Sequence, residues 1–193
     1  MAGMRRISVS LAPKTVRSIR LFGLLVAQLC AYSMLSALCF ACPLYLFDCS
    51  GSSTLYGALE NDLKRYAVSR GVGDSVHFCG FRKDVHACIL DAAIFVISSD
   101  FEGLSNSMIE AIALGIPTIA TDCPIGGARM VIDNGVNGYL VPVRNKERMV
   151  TAMCSIAGDT GVQERFSKAG VRLRERLSVD SISKQWLSAI KEK

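Results

Sequence analysis

The sequence predicts an α/β fold built on a doubly wound parallel sheet, and three observations carry that expectation. From about Tyr56 onward, short apolar runs of strand length alternate four times with stretches of helical spacing. Two of the runs, AAIFVISS and IPTIATD, are almost wholly apolar, as strands covered on both faces are. The intervening helical stretches close on glycine, at Gly71, Gly115 and Gly135.

Taken in order, GALENDLKRYAVSRG places Leu59, Leu63, Tyr66 and Ala67 at helical spacing, and SVHFCGF follows as a short strand. RKDVHACILDA reads as a helix with Val85, Cys88 and Ile89 on one face, and AAIFVISS as a buried strand. NSMIEAIALG is a helix closed by Gly115, and IPTIATD is the next strand. GARMVIDNG predicts a short helix ending at Gly135, and GYLVPV another strand. Residues 146–193 read as two or three amphipathic helices. In such a sheet, ligands bind outside the carboxyl ends of the strands. Neither G-x-G-x-x-G nor G-x-x-x-x-G-K-[ST] occurs, which argues against the commonest dinucleotide and P-loop sites.

The first 54 residues differ in texture from the remaining 55–193. Residues 21–47 run 27 positions without a charge, behind a basic stretch carrying Arg5, Arg6, Lys14, Arg17 and Arg20. Three readings stand side by side: a membrane segment or anchor, since about 20 apolar residues span a bilayer; a buried helix-plus-strand part of the α/β core; or a disrupted start of the domain. The net charge of +5 resides in that basic stretch, because residues 51–193 hold 17 basic and 16 acidic side chains. No basic face interleaved with aromatics marks a nucleic-acid partner.

Eight cysteines are present, and Cys39 and Cys42 form a C-x-x-C inside the apolar run, without a second pair or nearby histidines to make a zinc site. Cys79, Cys88, Cys123 and Cys154 fit reduced core thiols of a cytosolic protein. With only His77 and His86, a multi-histidine metal site is not expected.

The residues that carry chemistry lie in SSDFEGLSNSMIEAIALGIPTIATD. This elbow leaves the AAIFV strand at its carboxyl end and enters a helix near Ser105. The N–H groups of Gly103, Leu104 and Ser105, with the helix dipole, suit an anion such as a diphosphate. Gly103 permits close backbone approach. Glu102 before the turn and Glu110 beyond it are unfavourable for phosphate itself, but can accept hydrogen bonds from hydroxyls on either side. The alternatives are a capping box, Ser107-Met108-Ile109-Glu110, and a solvated loop acid at Glu102.

These residues resemble a family. VHFCGFRKDV, then AIFVISSDFEGLSNSMIEAIALGIPTIATD, then GGARMVIDNGVNGYLVPV, with helices and Trp186 after them, is similar to the C-terminal donor-binding domain of family 4 (group 1) retaining glycosyltransferases. That domain is the Rossmann-like half of a GT-B fold, and the resemblance spans about residues 56–188. It implies that Glu102, the catalytic residue, holds hydroxyls of the donor sugar and that Glu110 holds the ribose. It places Gly103, Leu104 and Ser105 at the diphosphate, and Phe81 and Arg82, in Gly80-Phe81-Arg82, beside the base. It implies no cofactor and no metal, a UDP- or GDP-type nucleotide sugar as donor, and a glycan or lipid-linked acceptor in bacterial cell-surface polysaccharide or lipopolysaccharide synthesis. The location it implies is cytoplasmic, at the inner face of the membrane if the N-terminal segment associates with lipid.

The sequence also departs from the family. Its acceptor domain is absent, and the Gly-Arg and lysine that neutralise the diphosphate have only Lys14 as a faint counterpart. Leu55-Tyr56-Gly57-Ala58-Leu59 looks like the remnant of a glycine-rich strand end, and Ala128-Arg129-Met130 stands where a glutamate often follows Gly-Gly. A truncated transferase with weak or absent activity of its own is therefore expected. The competing readings are a non-catalytic, membrane-anchored nucleotide-sugar-binding module and a nucleotide-sugar epimerase, which would need a second domain.

Overall fold

Residues 41–43 alone separate β1 (Ala37–Phe40) from β2 (Leu44–Phe47), and this dictates the direction of β1. A parallel connection needs a crossover of a dozen residues or so, which three residues cannot provide. β1 accordingly pairs antiparallel with β2, and antiparallel with β4 (Ile94–Ile97) on its other side. The remaining pairings are parallel: β2 with β3 (Val76–Gly80), β4 with β5 (Thr118–Thr121), and β5 with β6 (Gly138–Val141). The strands lie in the order β3-β2-β1-β4-β5-β6, the order of doubly wound nucleotide-binding sheets. The expected parallel sheet is therefore present, with one strand reversed at its centre. The computed structural model describes residues 37–40, 44–47, 53–71, 73–80 and 85–191. Lys14 and most of the apolar run 21–47 lie outside them. Among the described residues, no helix is long and apolar enough to cross a membrane.

Helices cover both faces. α1 (Ser53–Ser69) joins β2 to β3 and buries Leu63 and Ala67, one turn apart, with Tyr66 packed beside them. Residues 55–59, expected as the remnant of a strand end, lie inside α1 instead. Nothing in that stretch interrupts a helix except Gly57, which costs about 1 kcal/mol relative to alanine and is tolerated. α2 (Val85–Ile89) precedes β4, and α3 (Asn106–Ala113) connects β4 to β5. After β6 come α4 (Lys146–Gly158), α5 (Thr160–Val171), α6 (Leu173–Arg176) and α7 (Val179–Lys191), one more than the two or three helices expected.

β4 shows why its sequence is apolar at every position. Ile94 and Val96 enter a core with Met149, Met153 and Ile156 of α4 and Phe166 of α5, whereas Phe95 and Ile97 face Met108, Ala111 and Ile112 of α3. All four β4 residues are buried, as are all four of β5. Such a strand is fixed in register by two cores at once, so what leaves its carboxyl end is held firmly.

The helix expected over 127–135 shrinks to one 3-10 turn, Ala128–Met130. Asn137 explains the change. Its amide donates to the Val131 carbonyl at 2.9 Å, and its carbonyl oxygen accepts from the Asp133 N–H at 2.8 Å, replacing bonds a continuing helix would make.

Candidate functional site

The elbow leaves β4 through Ser98 and Ser99, both buried, at the carboxyl edge of the sheet. Ser99 is anchored from the neighbouring strand. Its carbonyl oxygen accepts from the Thr121 hydroxyl and from the Cys123 thiol, the latter at 3.1 Å. Cys123, expected as a core thiol, is buried and serves as one of these donors. The Ser99 hydroxyl then donates to Glu102 Oε2 at 3.2 Å, so the half-buried carboxylate is oriented by the residue three positions before it. A carboxylate has two acceptor oxygens, and this bond uses part of one.

α3 begins as the sequence indicated. Ser105 is its N-cap, with extended backbone angles of −73° and 123°, and its side chain makes no capping bond. The Ser105 hydroxyl pairs instead with that of Ser107 at 3.0 Å. First-turn N–H groups that an N-cap side chain would otherwise occupy are thus left for another acceptor. The same geometry disposes of the capping-box alternative. With Ser105 as N-cap, the N3 position is Met108, so Glu110 cannot reach back to close the box. Glu110 lies two residues further along and meets a side chain from α2: His86 Nε2 stands 3.0 Å from Glu110 Oε2.

A second loop closes on the elbow from β5. Gly127, at φ −58°, lies so near it that a Cβ built there would fall 2.1 Å from the Gly103 carbonyl oxygen and 2.6 Å from the Leu104 nitrogen. Gly126 before it adopts φ +80°, a left-handed turn that glycine makes readily. The loop is fastened by Arg129, which donates to both carboxylate oxygens of Asp122 at the end of β5, from Nη2 at 2.9 Å and from Nε. That hydrogen bond, and then the charge of Asp122, hold the Arg129 guanidinium above its ordinary pKa. Arginine is charged throughout the physiological range in any case. On the other side of the elbow, Arg144 Nε donates to Asp100 Oδ2 at 2.6 Å, tying the turn after β6 to the root of the elbow.

Of the residues singled out from sequence, Glu102, Gly103, Leu104, Ser105 and Glu110 are gathered around the start of α3, whereas Phe81 and Arg82 lie outside the described residues. Sequence reasoning missed the contact of Gly127 with Gly103, although the Gly-Gly pair was a visible signal. It also missed His86, for which local pattern offers none. Among the described residues, no group of three or more His, Cys, Asp or Glu side chains could hold a metal ion.

The chain matches the family of glycosyl transferases group 1 over residues 25–159, more than two thirds of its length. It belongs to that family. It is 26% identical over 140 residues to the poly(glycerol-phosphate) alpha-glucosyltransferase of Bacillus subtilis, covering 72% of this chain and 21% of that protein. It is 28% identical over 114 residues to the lipopolysaccharide core biosynthesis glycosyltransferase LpsE of Rhizobium meliloti, covering 59% of this chain and 33% of the relative. Its fold matches the crystal structure of Anabaena HepE in complex with UDP, with a TM-score of 0.68, at 20% identity and over 95% of this chain and 47% of the other. The group 1 chain described here thus spans between a fifth and a half of the length of these proteins. Its fold is the mixed α/β fold of the GT-B glycosyltransferases, as the resemblance implied.

Proposed function

We propose that this chain is the donor-binding domain of a retaining glycosyltransferase that uses a nucleoside-diphosphate sugar in bacterial cell-surface polysaccharide or lipopolysaccharide synthesis. One observation carries the reading. The uncapped start of α3 and the Gly103 backbone form an anion-accepting turn, with one carboxylate before it and one after it. The diphosphate lies against the N–H groups of Gly103, Leu104 and Ser105, where orphan donors and the helix dipole favour negative charge. Glu102 accepts from hydroxyls of the sugar, and Glu110 from those of the ribose. Phe81 and Arg82 flank the base. UDP is the nucleotide favoured, by analogy with the UDP held in HepE.

In the reaction the bond from the anomeric carbon to the diphosphate oxygen breaks, and a bond to an acceptor hydroxyl oxygen forms on the same face. The acceptor proton passes to the departing diphosphate. Glu102 is the catalytic residue in the sense that it holds the sugar while charge develops at the anomeric carbon. The acceptor, a glycan or a lipid-linked saccharide, meets the donor in a cleft between two domains, of which residues 55–193 supply the donor-binding one. Such an enzyme works in the cytoplasm, at the inner face of the membrane.

Isothermal titration with UDP, GDP and a UDP-sugar tests the reading. Glu110→Gln weakens nucleotide binding by ~1.5–3 kcal/mol, the scale of a hydrogen bond to a charged group. Glu102→Gln weakens chiefly the increment that the sugar adds. Wild type and both variants binding alike, or no binding of either nucleotide at millimolar concentration, would sink it.

A further inference from the structure

We infer that His86 is a positioning residue that sets the carboxylate of Glu110 for the vicinal hydroxyls of the ribose, and so makes the site select ribonucleotides. The inference rests on the donor-site reading above and adds to it a residue that the motif does not contain. His86 belongs to α2, six positions beyond the end of β3 in sequence, and Glu110 to α3. Their side chains come from different elements, 24 positions apart in sequence, and meet at 3.0 Å between Nε2 and Oε2. At that distance the imidazole nitrogen and the carboxylate oxygen are in direct contact.

Stability does not account for the pair. The two side chains are 56% and 46% exposed, and an ion pair so open to water adds little to folding. Its consequence is geometric. A free glutamate samples many rotamers and loses that freedom when a ligand fixes it, which weakens binding. A glutamate already held through Oε2 loses less, and its other oxygen, with the remaining lone pairs, is left for two adjacent hydroxyls. The location fits as well. Glu110 stands four residues beyond Asn106, about 6 Å along the helix from the first-turn N–H groups. That is the separation between a diphosphate and the hydroxyl edge of the ribose attached to it.

The test is isothermal titration of the full chain with UDP and with 2′,3′-dideoxy-UDP, for wild type, His86→Ala, His86→Gln, Glu110→Ala and the double variant His86→Ala/Glu110→Ala. The expected result is that His86→Ala weakens UDP about three- to tenfold and leaves the dideoxy nucleotide within about twofold. His86→Gln, whose amide can still donate, recovers part of the loss. In the Glu110→Ala background the histidine substitution has no further effect. Unchanged or tighter UDP binding by His86→Ala overturns the inference. So does an equal loss for both nucleotides, or the same loss whether or not Glu110 is present, because each marks a role unrelated to the ribose. Should wild type bind UDP but not distinguish it from the dideoxy form, the ribose role of Glu110 falls together with that of His86. Absence of UDP binding by wild type defeats the donor-site reading itself, a result separate from the others.

Discussion

Replacing Gly127 with alanine is the sharpest perturbation of the site, because its effect can be worked out from backbone atoms alone. At φ −58° and ψ −39° the residue sits in the ordinary helical region, so alanine meets no conformational penalty. The penalty is steric. The new methyl would lie 2.1 Å from the Gly103 oxygen and 2.3 Å from its carbonyl carbon, where ordinary contact begins near 3.4 Å. The two loops must therefore separate by about 1.3 Å, and neither obstacle is a flexible side chain that could swing away. Overpacking of this kind costs ~1–3 kcal/mol, or about 2–12 °C in Tm for a chain of this size. On the proposed donor site it also displaces the Gly103–Leu104 peptide from the diphosphate, and a 1 Å misplacement in such a site can cost ~100-fold. Differential scanning calorimetry and titration with UDP read the two effects. Gly126→Ala is the control: at φ +80° with no atom within 4 Å of the added methyl, it strains the turn by roughly 1–2 kcal/mol yet leaves the elbow in place. UDP affinity of Gly127→Ala within twofold of wild type, or equal losses of affinity for both variants, would refute the reasoning.

Other expectations follow from single contacts. Arg144 holds φ +60° while bonded to Asp100, so Arg144→Gly should be more stable than Arg144→Ala by ~1 kcal/mol in urea unfolding, because glycine relieves the left-handed strain that alanine keeps. Phe166, fully buried and edge-on to Tyr139 at 5.0 Å, anchors α5 to the sheet, and Phe166→Ala should cost ~3–5 kcal/mol by the same measurement. Thr121→Val removes one of two donors to the Ser99 carbonyl and should cost ~1 kcal/mol, with the Cys123 thiol limiting the loss.

Much of this arrangement was legible in the sequence because its cause was local. β4 and β5 read as doubly covered strands, since every residue in them is apolar or threonine and each face has its own core to meet. The course of the elbow was legible because the strand end, Gly103 and the Ser105 start of α3 follow one another directly. What was not legible depends on contacts distant in sequence. The reversal of β1 comes from counting three residues between two strands that periodicity alone did not separate. The contact of Gly127 with Gly103 joins loops 24 positions apart, and a glycine required by close approach looks in sequence like any other. His86 and Arg144 are exposed polar residues whose partners belong to other elements, and no local pattern marks them. The helix over 127–135 failed for a similar reason: the side chain of Asn137 took over backbone bonds that helix propensity assigns to the main chain.

The central claim is that the turn at the start of α3 holds the diphosphate of a nucleotide sugar, and amide NMR of the 15N-labelled chain during UDP titration addresses it most directly. The account predicts that the largest shifts fall on the N–H groups of Gly103, Leu104, Ser105 and Asn106, with a smaller set around Glu110 and Gly127, and that uridine without phosphates leaves the first group unmoved. Shifts confined to other parts of the sheet edge, or identical responses to UDP and uridine at the elbow, would contradict it.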